Sequence, residues 1–347
     1  MRILFDSKLP VFKDPFGTLV PGQVCKLHIH IPETVPTTQV ECILCHQDGS
    51  LAQAVPMALG EQCGAYHIYT GDFSIDDPGL YFYHFYITTR DGGFRLFKYG
   101  DDTNMEDGAQ WQLSCIPDDF YTPDWSKGAI IYQVFPDRFC KVGECDLTGK
   151  LEPFTIHENW NEEVDWRPNA KGEILNNDFF GGNFRGITEK MDYIASLGTT
   201  ILYLNPISKS LSSHRYDTGD YMTPDPMLGT MEDFRALCDA AHARGIKVIL
   251  DGVYSHTGSD SLYFDKEVTF GGNGAYCKQD SPYYSWYQFK SWPDSYHAWW
   301  GFETLPTVNK MDPKFVDYII TGENSVVAHW LAAGCDGFRL GVADELP

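Results

Sequence analysis

Ile246-Lys247-Val248-Ile249-Leu250-Asp251, running on into Gly252-Val253-Tyr254-Ser255-His256, is a short apolar run that ends in a carboxylate and then a histidine. Such a run without alternation reads as a β-strand buried on both faces. Ahead of it, Thr230 and Asp233 form a capping box before Phe234, Leu237 and Ala241, and Gly245 is placed to stop that helix. The same grammar recurs on either side. Thr200 to Leu204 is a second buried strand, preceded by Ile187, Met191, Ile194 and Leu197 on one helical face and by Gly198 as its stop. Ala129 to Phe135 is an earlier strand, buried on both faces by its pattern. Asp312-Pro313 opens another helical stretch that breaks near Gly322 and resumes to Leu331, and Asp336 to Leu340 is the fourth strand. Strand and helix in alternation build a parallel sheet. Asn205, Asp251 with His256, and Arg339 all stand at or just past the C-terminal ends of these strands. Both a (β/α)₈ barrel and an open doubly wound sheet carry their ligands there.

Residues 1 to 125 follow a different rule. Cys25, Leu27, Ile29 and Ile31 alternate with Lys26, His28 and His30, the period-two pattern of a half-buried strand. Val40–Cys45, Ala65–Thr70, Leu80–Thr88, Phe94–Tyr99 and Trp111–Ile116 follow, with Asp91-Gly92-Gly93 as a hairpin turn. Short strands at this spacing predict a β-sandwich. His28, His30 and His84 read as packed or solvated rather than as ligands. Cys42 and Cys45 form a CxxC, but on a strand residues three apart point to opposite faces and no second CxxC accompanies them, which argues against zinc.

Composition narrows the partners. The chain has 347 residues, with 26 Lys plus Arg against 48 Asp plus Glu, a net charge of −22. That charge repels nucleic acid and anionic membrane, both of which bind clustered cations. A neutral substrate fits it better. Aromatics reach 15%, material for stacking surfaces as well as a core. Gly271-Gly272-Asn273-Gly274 follows no strand and has the wrong spacing for a phosphate loop, so nucleotide binding is disfavoured. Ten scattered cysteines, no apolar N-terminal core of signal-peptide length and no run of membrane-spanning length place the chain in a reducing cytoplasm, with its cysteines as small buried hydrophobes.

A set of sequence blocks then carries a resemblance. Ile131-Tyr132-Gln133-Val134-Phe135-Pro136-Asp137-Arg138-Phe139 with Gly181-Gly182-Asn183-Phe184-Arg185-Gly186-Ile187 opens the set. Leu202-Tyr203-Leu204-Asn205-Pro206-Ile207, His214-Arg215-Tyr216-Asp217-Thr218-Gly219-Asp220-Tyr221, the Asp251 to His256 block, Leu305-Pro306-Thr307-Val308-Asn309 and Gly337-Phe338-Arg339-Leu340-Gly341-Val342-Ala343-Asp344-Glu345 complete it. In this order they resemble the α-amylase family, nearest the neopullulanase, cyclomaltodextrinase and maltogenic amylase branch. The resemblance implies a multidomain β plus α/β chain. A β-sandwich would span residues 1–125, followed in 126–347 by the first four strands of a (β/α)₈ TIM barrel with a small inserted domain at about 257–304. It implies retaining hydrolysis of α-1,4 and α-1,6 bonds in α-glucans such as starch, pullulan or cyclodextrin, with no cofactor. It also implies a homodimer through the N-terminal domain.

By the same resemblance Tyr216 stacks beneath the reacting glucose with His214 beside it, His256 bonds its hydroxyls and Asp251 braces the site. Arg339 holds the nucleophile ionised, and Asp344 and Glu345 lie toward the acceptor subsites. The nucleophile position, two residues after the arginine, is Gly341, so the glycosyl–enzyme ester cannot form here. The family's general acid/base glutamate and third carboxylate lie on later strands, beyond Pro347. The expectation is therefore a shortened chain without the catalytic trio and without turnover. Calcium, which relatives hold near the Gly-Gly-Asp block, is disfavoured: the weak candidates Gly181 and Asn183 supply no carboxylate. The alternatives are a non-catalytic glucan-binding chain or a dimerisation fragment.

Overall fold

The computed structural model describes residues 2–105, 107–172 and 174–346. The chain divides into two compact units after Thr122.

In the first unit nine strands form one antiparallel sheet, eight of them along a single path. Its order is Lys13–Asp14, Cys25–Pro32, Tyr66–Phe73, Leu51–Cys63, Thr37–His46, Gly79–Thr89, Gly92–Tyr99 and Asp102–Asn104, with Trp111–Cys115 also paired to Gly79–Thr89. Leu51–Cys63 is the strand that sequence pattern misses. It pairs with Thr37–His46 along its first half and with Tyr66–Phe73 along its second. Only Val55 and Met57 of its 13 residues are buried, too few to print an alternation. Leu27, Ile29 and Ile31 from one end of the path share a core with Val40, Leu44, Phe85 and Trp111 from the other. Cys42 and Cys45 are both buried, as are Cys25, Cys115, Cys238 and Cys335; Cys63 is exposed, contrary to the expectation of buried thiols. His84 is buried and stacks on Phe97.

The second unit is built on a four-stranded parallel sheet ordered Ile131–Val134, Ile201–Leu204, Lys247–Gly252 and Gly337–Leu340. The helices between them form where expected. Met231–His242 carries the Thr230–Asp233 capping box, Asn183 caps Phe184–Glu189, and Asp312 and Ser325 cap the last two helical stretches. Leu197, expected on the buried helical face, is 46% exposed, because the helix breaks at Lys190 and its second piece ends at Ser196.

Register explains which residues face where. Gln133 pairs with Tyr203, Tyr203 with Ile249, and Asp251 with Arg339. Side chains alternate along a strand, so Gln133, Tyr203, Asp251 and Arg339 share one face of the sheet. Val134, Leu202, Leu204, Val248 and Leu250 take the opposite face, where they join the core with Phe184, Ile187, Phe234 and Trp330. The reading of a strand buried on both faces holds for Ile201–Leu204, every residue of which is buried, and fails for Ile131–Val134, where Ile131 is 56% exposed on the face it shares with Gln133.

The excursion after the third strand has no core of its own. Tyr263, Phe264, Trp286, Tyr287 and Tyr296 are buried in the same cluster as the sheet, and bridges at His256–Thr307 and Tyr287–Val308 tie its far end back. Among the described residues, no helix is long and apolar enough to cross a membrane.

Candidate functional site

The polar face converges on Asp251, whose side chain is 1% exposed at the end of its strand. Tyr203 donates its hydroxyl to Asp251 Oδ2, and Tyr216 donates to the same oxygen at 2.8 Å. Arg339 Nη1 donates to Oδ1 at 3.3 Å. The guanidinium also lies 5.9 Å from the centre of the Tyr203 ring, a cation–π contact. A buried carboxylate with three donors is the condition under which a charge is tolerated away from water. The network runs on: Asn205 Nδ2 donates to the Tyr216 hydroxyl at 3.2 Å, and Gln133 Nε2 donates to Asn205 Oδ1 at 2.8 Å. Burial and the neighbouring Asp251 carboxylate push the Tyr216 hydroxyl up to about 12, so it stays a donor at any working pH.

The loop carrying Tyr216 is fixed from below. The Tyr216 N–H donates to His214 Nδ1 at 3.0 Å, which leaves that ring nitrogen an acceptor. Burial lowers the His214 pKa, partly opposed by Asp217. His256, 3% exposed, sits with Nε2 3.1 Å from the Tyr216 carbonyl and Nδ1 2.9 Å from Ser255 Oγ. Burial drives its pKa down to about 4, so it is neutral near pH 7. His214, Tyr216, Asp251, His256 and Arg339 are thereby joined in one connected network.

Gly341 stands where the resemblance expects a nucleophile, and its surroundings are informative. A Cβ built there would lie 2.6 Å from Arg339 Nη1 and would meet no backbone atom within 4 Å beyond its chain neighbours. A side chain at 341 would therefore point at the guanidinium that also reaches Asp251.

Glu345 is engaged by two indoles. Both of its oxygens accept indole N–H groups, Oε2 from Trp299 and Oε1 from Trp300, each at 2.9 Å.

The calcium candidates do not fit a cation. Asn183 Oδ1 accepts the Gly186 N–H and its Nδ2 donates to the Val142 carbonyl. Gly181 donates its N–H to Asp137. Among the described residues no cluster of three His, Cys, Asp or Glu side chains is poised to hold a metal. The glycines of this block serve packing instead. A Cβ at Gly182 would lie 2.1 Å from the Pro136 carbonyl, and one at Gly186 would lie 1.9 Å from the Cys140 carbonyl.

Sequence reasoning missed one contributor. Tyr203 sits inside an apolar run and reads as core; only the parity it shares with Asp251 reveals it. Trp299 and Trp300 belong to the aromatic-rich stretch from Tyr283 to Phe302, in which the sequence reads most members as core and one or two as sugar contacts without saying which; Tyr283, Tyr284, Trp286, Tyr287, Phe289 and Tyr296 pack in the core cluster.

Comparison with known proteins completes the description. The α-amylase catalytic-domain family matches residues 133–347. The chain is 35% identical to an amylopullulanase of Thermoanaerobacter thermohydrosulfuricus over 98% of its own length and 26% of that protein's. It is 36% identical to neopullulanase 2 of Thermoactinomyces vulgaris over 65% of its length and 36% of that protein's. The type III pullulan hydrolase from Thermococcus kodakarensis superposes with a TM-score of 0.56 at 27% identity, covering 99% of this chain and 56% of that one. The chain thus spans about a quarter of the amylopullulanase it matches.

Proposed function

The chain belongs to the α-amylase family, and from that premise we propose that its polar sheet face binds the reacting glucose of an α-1,4- or α-1,6-linked glucan without cleaving it. The four parallel strands are read as half of a (β/α)₈ barrel, with the polar face as its interior. Tyr216 offers its ring to the sugar while its hydroxyl is held by Asp251 and Asn205. His256, neutral, is anchored beside it. Asp251 is a positioning residue: it orients Tyr203, Tyr216 and Arg339 together.

Cleavage with retention needs a carboxylate nucleophile and a second carboxyl group about 5 Å away as acid and base. Residue 341 supplies no side chain, and loss of a nucleophile costs on the order of 10⁶ in rate. The observation that carries the reading is the placement of Gly341 against Arg339 in an otherwise assembled network. A glucan-binding role without turnover follows.

Titration calorimetry with maltoheptaose, run beside a reducing-end assay, tests it. The chain should bind the oligosaccharide, Tyr216→Ala should weaken binding at least tenfold, and no reducing ends should appear. Release of maltose at rates near an intact relative, or binding indifferent to Tyr216→Ala, would overturn the reading.

A further inference from the structure

Arg215 stands between two residues of the site, His214 and Tyr216, and it breaks three ordinary rules at once. Its backbone sits at φ 62°, a left-handed conformation that a non-glycine residue adopts only when its surroundings impose it. Its side chain is 1% exposed, in a place where a charge is costly. Its Nη2 is shielded from water and has no hydrogen-bond partner. Violations of this kind gather where function overrides packing.

A buried cluster holds Arg215 in this state. Nε lies 3.3 Å from Asp225 Oδ2, Nη1 donates to the Ser213 carbonyl at 2.8 Å, and the backbone N–H donates to Ser212 Oγ at 3.0 Å. Asp225 is fully buried and also accepts Lys150 Nζ at 2.6 Å. Burial alone would raise the Asp225 pKa, but Arg215 and Lys150 lower it on balance, so the carboxylate stays ionised. Two cations answer this one acid, and without Arg215 it would still be paired. The turn at Arg215 has a direct consequence for its neighbour. It brings the Tyr216 N–H back to His214 Nδ1, two residues earlier, at 3.0 Å. His256 Nε2 stands 3.1 Å from the Tyr216 carbonyl. With its main chain fixed on both sides, Tyr216 directs its hydroxyl to Asp251.

We propose that Arg215 is a positioning residue of the glucan site: locked by Asp225, it holds the left-handed turn that aims Tyr216 at Asp251 and so fixes the ring offered to the sugar. This rests on the glucan-binding reading above. Arg215 is sealed from any ligand and acts on the glucan only through Tyr216. A ring fixed before binding spares the entropy of ordering it.

Two measurements on the full chain separate the lock from the sugar. Glycine enters a left-handed turn freely but does not fix it, so Arg215→Gly keeps the turn accessible and removes the lock. Amide exchange over the peptide carrying Tyr216, read by mass spectrometry, should accelerate at least tenfold in Arg215→Gly. The unfolding midpoint recorded beside it shows that the variant is folded. In calorimetry, Arg215→Gly should weaken maltoheptaose at least fivefold, and Arg215→Lys, which keeps a cation on Asp225, should recover most of the loss. Added to Tyr216→Ala, Arg215→Gly should change affinity no further. If Arg215→Gly does not fold, Arg215→Asn, a side chain that tolerates this conformation, carries the same comparisons. Unchanged exchange overturns the lock. Faster exchange with unchanged affinity, or an equal loss in the Tyr216→Ala background, overturns the positioning role and leaves the glucan reading intact. Wild type that binds no maltooligosaccharide overturns the glucan reading and the positioning role with it, whatever the exchange shows.

Discussion

The Tyr216 hydroxyl lies 2.8 Å from Asp251 Oδ2 and donates to it while accepting from Asn205. This bond spans 35 residues and joins the loop after one parallel strand to the end of the next. It makes Tyr216 and the buried carboxylate a single object.

Asp251→Ala should therefore cost more than a surface acid. It leaves the buried Tyr203 and the half-buried Tyr216 hydroxyls without this acceptor, at about 1–3 kcal/mol for a buried group. Arg339 is 45% exposed and can recover water. Asp251→Asn retains one acceptor oxygen and should lose less than Asp251→Ala. Urea unfolding of both variants tests the ranking, which fails if the two are equal.

Two histidines should pull pH-dependent stability in opposite directions. Burial holds the His256 pKa near 4 when folded against about 6.5 unfolded. The unfolded chain then binds more protons, so stability falls as pH drops from 6.5 to 4, by up to about 3 kcal/mol. For His157, burial alone would lower the pKa, but hydrogen bonds to Glu162 and Asp178 raise it on balance. Its contribution is complete below pH 6.5 and is lost as pH rises through the raised value. His256→Gln should flatten the acid side of the stability profile and His157→Gln the neutral side. Identical profiles would refute both assignments.

Gly341→Asp should fold. The predicted clash is with the far end of the Arg339 side chain, which can swing away, and with no backbone atom. The new carboxylate should pair with that guanidinium and be held ionised. An aspartate pKa at 341 below 3.9, read by carbon-13 NMR, is expected; a value above 4.5 would place the residue elsewhere.

Gly186→Ala should not fold normally, because its Cβ would sit 1.9 Å from the Cys140 carbonyl, backbone that cannot yield. Gly172→Ala is the control: its Cβ meets nothing within 4 Å, and only its φ of 80° adds strain, about 1–2 kcal/mol. Soluble yield and unfolding midpoint distinguish the two.

The parallel strands were legible because Thr200–Leu204 and Ile246–Leu250 are dense apolar runs bounded by helix caps and glycine stops. What composition could not show was that one face of the sheet brings Gln133, Tyr203, Asp251 and Arg339 together. Tyr203 counts as apolar until its register with Asp251 is known. Leu51–Cys63 escaped for the opposite reason: a strand mostly exposed on both faces prints no pattern. At the site, Asp251, His256, Tyr216 and Arg339 were visible by position and resemblance. The engagement of Glu345 was not, since it depends on two indoles 45 and 46 residues earlier that only the folded chain brings close.

The pairing of Asp251 with Arg339 also sets a clock. The two residues are 88 positions apart, and neither strand can complete the site without the other. At a ribosomal rate of roughly 5–20 residues per second, Asp251 is synthesised about 4–18 seconds before its arginine. During that interval the Lys247–Gly252 strand has an unpaired edge and a carboxylate without its counter-charge. The nascent chain must pass through a period in which its central strand offers a free edge to any neighbour. Translation speed across the intervening excursion, and the holdase capacity of the host at that moment, therefore bear on how much native protein accumulates.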